Sequence, residues 1–142
     1  MLKGRCLCGR VSYEIHGAIH SARFCHCVTC RKFSGTACAA WGVVQTDHLI
    51  VIGPESNAAK YDSGGGLRAF CSSCGSPLWY EPASLPAFRG VPLGVIDAGE
   101  VPTPEMHVWT KSKVSWASID DELPPGRAFQ PLLNCLLSRY QL

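Results

Sequence analysis

The sequence lacks the long apolar runs found in membrane and secreted proteins. No segment reaches the roughly 20 consecutive apolar residues that span a bilayer. Residues 1–5 lead straight into cysteines, without the apolar core of a signal peptide. We therefore expect a soluble, cytoplasmic protein that contacts no membrane.

An excess of charge of either sign is also absent. The formal net charge is +2, only 17% of the residues are charged, and like charges form no long run. A nucleic-acid partner would need a basic stripe or patch, so none is expected. Internal repeats and low-complexity tracts are absent as well, and 142 residues with 46% hydrophobic content suit one folded domain.

Short apolar runs, separated by 14 glycines and 10 prolines, predict a mainly β protein of many short antiparallel strands. In residues 11–15, apolar and polar side chains alternate, as in a strand with one buried face. The other runs are rich in Val, Ile, Trp and Tyr, which favour strands. The predicted strands are residues 10–15, 37–45, 49–52, 67–70, 78–80, 91–96 and 105–110.

A helical period is visible at the C-terminal end. Its apolar residues fall on one face of a helix of about 3.6 residues per turn, and Pro131 suits the first turn. The chain is thus divided into a domain over residues 1–124 and a helical extension over residues 125–142. We expect this helix to pack on the domain or on a second subunit of a homodimer. The apolar positions are Phe129, Leu132, Leu133, Leu136, Leu137 and Tyr140.

Cysteine, by contrast, is abundant: there are nine, and seven lie in C-x-C or C-x-x-C spacings. In a reducing compartment such clusters bind metal more often than they form disulfides. Zinc takes four ligands in a tetrahedron, a C-x-x-C turn brings two sulfurs to one ion, and an extended C-x-C segment projects both sulfurs to one face. We therefore expect two zinc ions per chain.

Counting the cysteines separates two sites. One set of four is complete, with Cys6, Cys8, Cys71 and Cys74. The other set has three members, Cys25, Cys27 and Cys30. Structural zinc sites fill every position with protein, whereas catalytic sites keep one for water or substrate. The first set is therefore predicted to be structural, and the second to be both metal-binding and catalytic.

Other interpretations stay open at this point. Iron would fit the four-thiolate set, and disulfides or a thioredoxin-like redox motif would use the same cysteines. The three-cysteine set would become structural if Cys38, His26, His107 or an acidic residue completed it. Cys38 and Cys135 lie in apolar segments and are expected to be small buried residues. Gly9 and Gly75, which follow Cys8 and Cys74, fit tight turns with unusual backbone angles.

Basic and imidazole groups near the second set suggest further roles. Arg31 and Lys32 follow Cys30 and are candidates to hold a substrate carboxylate. His26 is a candidate proton shuttle, with a hydrogen bond to backbone as the ordinary alternative.

The order of these motifs resembles the glutathione-dependent formaldehyde-activating enzyme family, whose relatives include centromere protein V. The resemblance covers residues 3–124 and consists of residues 4–9, 25–32 and 70–77, followed by His107-Val108-Trp109 with Lys111 and Trp116. It implies a zinc-binding β-tent fold, a structural zinc on Cys6, Cys8, Cys71 and Cys74, and a catalytic zinc on Cys25, Cys27 and Cys30. It also implies a carbon–sulfur lyase type of reaction, in which the thiol of glutathione adds to formaldehyde.

Three thiolates leave a bound zinc with a net charge near −1, which favours a thiol over water as the fourth ligand. We expect the chain to activate glutathione or a similar thiol toward formaldehyde or another small electrophile. The alternative is a non-catalytic, zinc-stabilised interaction module with both sites closed. A zinc hydrolase ranks third, because no H-E-x-x-H motif is present.

Overall fold

The computed structural model describes residues 1–126. This part of the chain is mainly β, with one α-helix and four single-turn 3-10 helices. The 3-10 helices are Thr46–His48, Glu55–Asn57, Leu93–Val95 and Thr110–Ser112. The α-helix is α1 (Val28–Ser34), and the strands are β1 (Leu2–Arg5), β2 (Ser12–Ile15), β3 (His20–Cys25), β4 (Ala39–Gln45), β5 (Leu49–Ile52), β6 (Ala58–Asp62), β7 (Gly66–Cys71), β8 (Pro77–Pro82), β9 (Phe88–Pro92), β10 (Ile96–Ala98), β11 (His107–Val108) and β12 (Pro125–Gly126).

The strands form two sheets. The smaller has the order β10-β1-β2-β5, and the larger has the order β12-β11-β3-β4-β9-β8-β7-β6. Most neighbours are antiparallel, as predicted, but β11 runs parallel to both β3 and β12. The chain returns to β3 through a long connection, and this return places Val108 beside Cys25.

The main core joins the two sheets. Its side chains come from alternating positions of strands in both, which is the pattern of half-buried strands. Tyr13 and Ile15 of β2 meet Val44, Leu78 and Val91 of the larger sheet, and all five are at most 1% exposed. A second, smaller cluster contains Cys25, Cys30, Ala39, Trp41 and Val108. One of the predicted metal sites is therefore built into a core of its own.

The structure contains the predicted strands, but the prediction has two kinds of error: one predicted strand is in fact two, and four strands were missed. The segment 91–96 is wrong as a single strand: β9 ends at Pro92, a 3-10 turn follows, and β10 joins the other sheet. Strands β1, β3, β6 and β12 were not predicted, because their mixed polar sequences lack an apolar run. The helix predicted over the C-terminal apolar positions, and Cys135 with it, lies outside the described residues.

Helix α1 was also missed, since its seven residues are too few to show a period and include the β-branched Val28 and Thr29. It begins at Cys27, whose sulfur accepts the N–H of Cys30 as an N-cap. It ends at Gly35, which adopts the left-handed conformation (φ 65°) and donates its N–H to the carbonyl of Arg31. The helix therefore fixes the spacing between Cys27 and Cys30.

Within residues 1–126, no helix has the length and apolar character needed to cross a membrane.

Candidate metal centres and the adjoining cavity

The four-cysteine cluster lies where the two sheets meet. Cys6 and Cys8 follow β1, while Cys71 ends β7 and Cys74 lies in the turn before β8. The four sulfurs are within 4.8 Å of one another, with Cys6 and Cys8 at 3.5 Å and Cys8 and Cys71 at 3.8 Å. Tetrahedral zinc with Zn–S bonds of about 2.3 Å requires sulfurs about 3.8 Å apart. The donor set and its spacing therefore fit a zinc ion, as predicted for these four residues.

Two similar turns hold this cluster. Gly9 donates its N–H to the carbonyl of Cys6 (3.0 Å), and Gly75 donates to that of Cys71 (2.9 Å). Both glycines have positive φ, 75° and 74°, which confirms the tight turns expected at these positions. The Ser76 hydroxyl and backbone lower the pKa of Cys74 to about 5. The turn thus favours the thiolate that a metal binds.

The three-cysteine cluster is assembled from the end of β3 and the first turn of α1. The sulfurs of Cys25, Cys27 and Cys30 lie within 4.8 Å of one another. Hydrogen bonds from the Cys25 and Cys30 thiols lower the pKa of Cys27, helped by the Cys30 backbone N–H. The same shared protons, together with burial, raise the pKa of Cys25. The lowered pKa of Cys27 favours its thiolate, the form that binds a metal.

No fourth ligand joins this cluster from residues 1–126. Cys38, His26, His107 and the carboxylates of the described chain are not among its members. Cys38 lies just before β4 and is half-buried rather than fully buried. The three sulfurs fit zinc or another thiophilic metal with one position left for a ligand from outside this part of the chain.

A cavity of about 430 Å³ opens beside the three cysteines. This volume is in the range of small-molecule sites. Cys25, Cys27 and Cys30 line it together with aromatic side chains, Trp41, Tyr80, Phe88 and Trp109. A bound metal would thus present its open position to a pocket of mixed aromatic and polar character.

Three arginines also line the cavity, and sequence reasoning missed all of them. Arg23 and Arg68 are only 8% and 6% exposed. Arg68 is the cross-strand partner of Tyr80 and stacks on its ring at 4.6 Å. Arg89 forms an ion pair with Glu81 at 3.6 Å. Each arginine lies in a strand with no motif around it, so the signal was only an isolated charge in an apolar segment.

The predicted basic residues after Cys30 lie elsewhere. Neither Arg31 nor Lys32 is among the residues lining the cavity. Arg31 donates from Nε to the carbonyl of His26 at 3.1 Å. Arg31 and Lys32 both occupy the last turn of α1, where their positive charges complement the helix dipole. Arg31 therefore braces the Cys25–Cys27 segment from outside the cavity.

His26 points away from the cysteines into the protein. Its Nε2 lies 2.7 Å from Nδ1 of His107, and Nε2 of His107 lies 3.0 Å from both carboxylate oxygens of Asp121. Burial, with the nearby His107, lowers the pKa of His26. The backbone of His26 also donates to Val108 at 3.0 Å. His26 is therefore joined to β11 and is not among the residues lining the cavity.

Fold and site together define a class: a small β protein with two cysteine clusters that could hold metal ions, one of four ligands and one of three. Comparison with known proteins identifies the family. The family model described as glutathione-dependent formaldehyde-activating enzyme matches residues 1–112. A Halomonas elongata protein that carries the provisional name of glutathione-dependent formaldehyde-activating enzyme is 31% identical over 129 residues, covering 84% of this chain and 82% of the relative.

One solved structure is also similar to this chain. The crystal structure of a Rhodobacter sphaeroides protein matches with a TM-score of 0.59 and 26% identity, over 69% of this chain and 90% of that protein. The present chain belongs to the glutathione-dependent formaldehyde-activating enzyme family.

Proposed function

We propose that this protein is a zinc-dependent carbon–sulfur lyase-type enzyme that activates a thiol, glutathione or a similar molecule, for addition to formaldehyde or another small electrophile. One observation carries the proposal: a cluster of three cysteine sulfurs, without a fourth ligand from residues 1–126, borders a cavity of about 430 Å³. In this proposal Cys25, Cys27 and Cys30 hold the catalytic metal, and Cys6, Cys8, Cys71 and Cys74 hold the structural one.

The reaction is balanced without a redox partner. The thiol sulfur attacks the carbonyl carbon, a C–S bond forms, and the C=O π electrons move to oxygen, which takes up the proton that the thiol released. A zinc ion bound by three thiolates would supply the open coordination position at which a thiol loses its proton. With formaldehyde, the product is a hemithioacetal that carries a hydroxymethyl group on sulfur. The reverse reaction breaks this C–S bond and is the lyase step.

The chain's own residues prepare this chemistry. Cys25 and Cys30 are 7% and 9% exposed, so the polar centre lies in a largely desolvated position. Trp41 and Tyr80 contribute aromatic walls to the cavity. A dry, shaped site strengthens electrostatic interactions with a developing negative charge.

Calorimetric titration with glutathione tests the proposal. The zinc-loaded wild type is expected to bind the thiol, whereas Cys27→Ser is expected to lose binding together with one zinc. Cys38→Ser is the matched control, because Cys38 belongs to neither cluster. Incubation with ¹³C-formaldehyde and NMR detection of the S-hydroxymethyl carbon then tests turnover. A zinc-loaded wild type that binds no thiol would instead favour the interaction module.

A further inference from the structure

The cavity contains two buried guanidinium groups that no carboxylate neutralises in the described part of the chain. Arg23 and Arg68 both line it, and neither takes part in the ion pairs formed within residues 1–126. Arg89, the third arginine, is already paired with Glu81. The cysteine sulfurs beside them can carry negative charge: Nη2 of Arg68 lies 3.8 Å from the sulfur of Cys30, and Cys25 acts electrostatically on Arg23. Neither guanidinium forms an ion pair with a carboxylate of residues 1–126, so both remain open to a carboxylate from a ligand.

Arg68 is held in one orientation from three directions. Its guanidinium carbon lies 4.6 Å from the ring centre of Tyr80 and 5.3 Å from that of Phe33. Its Nε donates to the Ser63 hydroxyl at 3.2 Å, and Nη2 lies 3.8 Å from the sulfur of Cys30. Nη1 is the nitrogen that none of these contacts uses. The group is therefore a fixed donor next to the cysteine cluster.

Arg23 is held by a distorted segment of its own strand. The register of β3 shifts between His20 and Arg23, and Ser21 within this irregularity has φ 51°, an uncommon value for a residue other than glycine. Ser21 accepts from Nε of Arg23 through its carbonyl (3.1 Å) and from Nη2 through its hydroxyl (2.8 Å). The distorted segment thus fixes the guanidinium, and Nη1 of Arg23 takes part in neither hydrogen bond.

The second non-glycine residue with positive φ lies at the cavity itself. Trp109 has φ 60° and is one of its lining residues. Backbone strain of this kind concentrates at binding sites, where the surrounding structure maintains it. Of the two non-glycine residues of 1–126 with positive φ, Trp109 lines the pocket and Ser21 holds an arginine that lines it.

We propose that Arg23 and Arg68 bind a carboxylate of the thiol substrate and so restrict the site to thiols that carry one. The inference rests on the proposed function, because it concerns the substrate of the same cavity. Guanidinium groups bind carboxylates through short, charge-assisted hydrogen bonds. Each N–H group left over on these two arginines is a donor for that carboxylate.

The test compares two thiols of the same size, 3-mercaptopropionate and its neutral amide, 3-mercaptopropionamide. Calorimetric titration of the zinc-loaded wild type is expected to give roughly tenfold or more tighter binding for the carboxylate, as for hydrogen bonds to charged groups. Arg23→Gln is expected to remove most of this preference, because affinity for the carboxylate should fall much further than affinity for the amide. Arg5→Gln is the matched control, since Arg5 is exposed, pairs with Asp97 and does not line the cavity.

Arg68 contacts Cys30, Phe33 and Tyr80, so Arg68→Lys is used at that position to keep the charge and lose the planar donor fork. It is expected to weaken the preference without abolishing it. Equal binding of the two thiols by the wild type overturns this inference alone, and so does a preference that Arg23→Gln leaves intact. A zinc-loaded wild type that binds neither thiol overturns the proposed function and this inference together.

Discussion

Nε2 of His26 lies 2.7 Å from Nδ1 of His107, and both side chains are buried. The Asp121 carboxylate accepts from Nε2 of His107, so Nδ1 of a neutral His107 is an acceptor and His26 is the donor. His26, which lies between Cys25 and Cys27, is thus hydrogen-bonded to His107 of β11 and, through His107, joined to Asp121. Support of this kind sets the orientation of metal ligands.

Breaking that connection is expected to loosen the second metal site. In Asp121→Ala the acceptor for His107 is lost, and we expect affinity for the second zinc to fall by up to about tenfold. Competition with a chromophoric chelator measures it. Asp120→Ala is the control, because Asp120 bonds to the Ser118 hydroxyl instead. Equal metal affinity in both variants would show that the histidine pair does not support the cluster.

Metal bound at the two cysteine clusters is expected to contribute differently to the stability of the fold. The four-cysteine cluster joins segments 63 residues apart, as in the Cys8–Cys71 contact, while the three-cysteine cluster lies within one short segment. Mild chelation should therefore remove the second zinc first and leave the far-ultraviolet circular dichroism unchanged. Cys74→Ser should lower the melting temperature far more than Cys27→Ser. Loss of metal and fold in one step would contradict this expectation.

Gly75 should be sensitive to a single added methyl group for a reason of backbone conformation alone. A Cβ there would meet nothing within 4 Å, but φ is 74°, and the left-handed conformation costs about 1–2 kcal/mol for residues with a Cβ. Gly75→Ala should lower the free energy of unfolding by about that amount. Gly94→Ala is the control, because the space is equally open and φ is ordinary. Equal effects in denaturant unfolding would refute the argument.

Glu81 provides a pH-dependent contribution to stability. Burial raises its pKa, but the hydrogen bonds from Lys60 and Trp79, with Arg89 nearby, outweigh this and hold the pKa below its ordinary value. A lowered folded-state pKa stabilises the protein above the unfolded pKa, and the effect disappears as the pH falls through the folded value.

Glu81→Gln should therefore destabilise the protein by about 1–2 kcal/mol at neutral pH. The difference from wild type should shrink as the solution is acidified. Urea unfolding of both proteins at each pH measures it, and taking the difference removes effects of metal release common to both. Glu100→Gln, at an exposed position, is the control. A difference that is constant across the pH range would contradict the argument.

The sequence by itself determined the β class, the glycine turns after Cys8 and Cys74, and the membership of both cysteine clusters. These features are local: a C-x-C or C-x-x-C spacing limits how far two sulfurs can separate, and strand alternation follows from the pleat. Counting then separated a set of four cysteines from a set of three without any knowledge of the fold.

The tertiary structure alone decided what surrounds the two cysteine clusters. Arg23 in β3 and Arg68 in β7 are 45 positions apart in the sequence, and only the order of the larger sheet brings both to one cavity. The same sheet turned His26 toward His107 and left Arg31 outside the cavity. Such contacts depend on strand order and on a parallel return of the chain, which local sequence does not encode because loop closure and burial act over the whole domain.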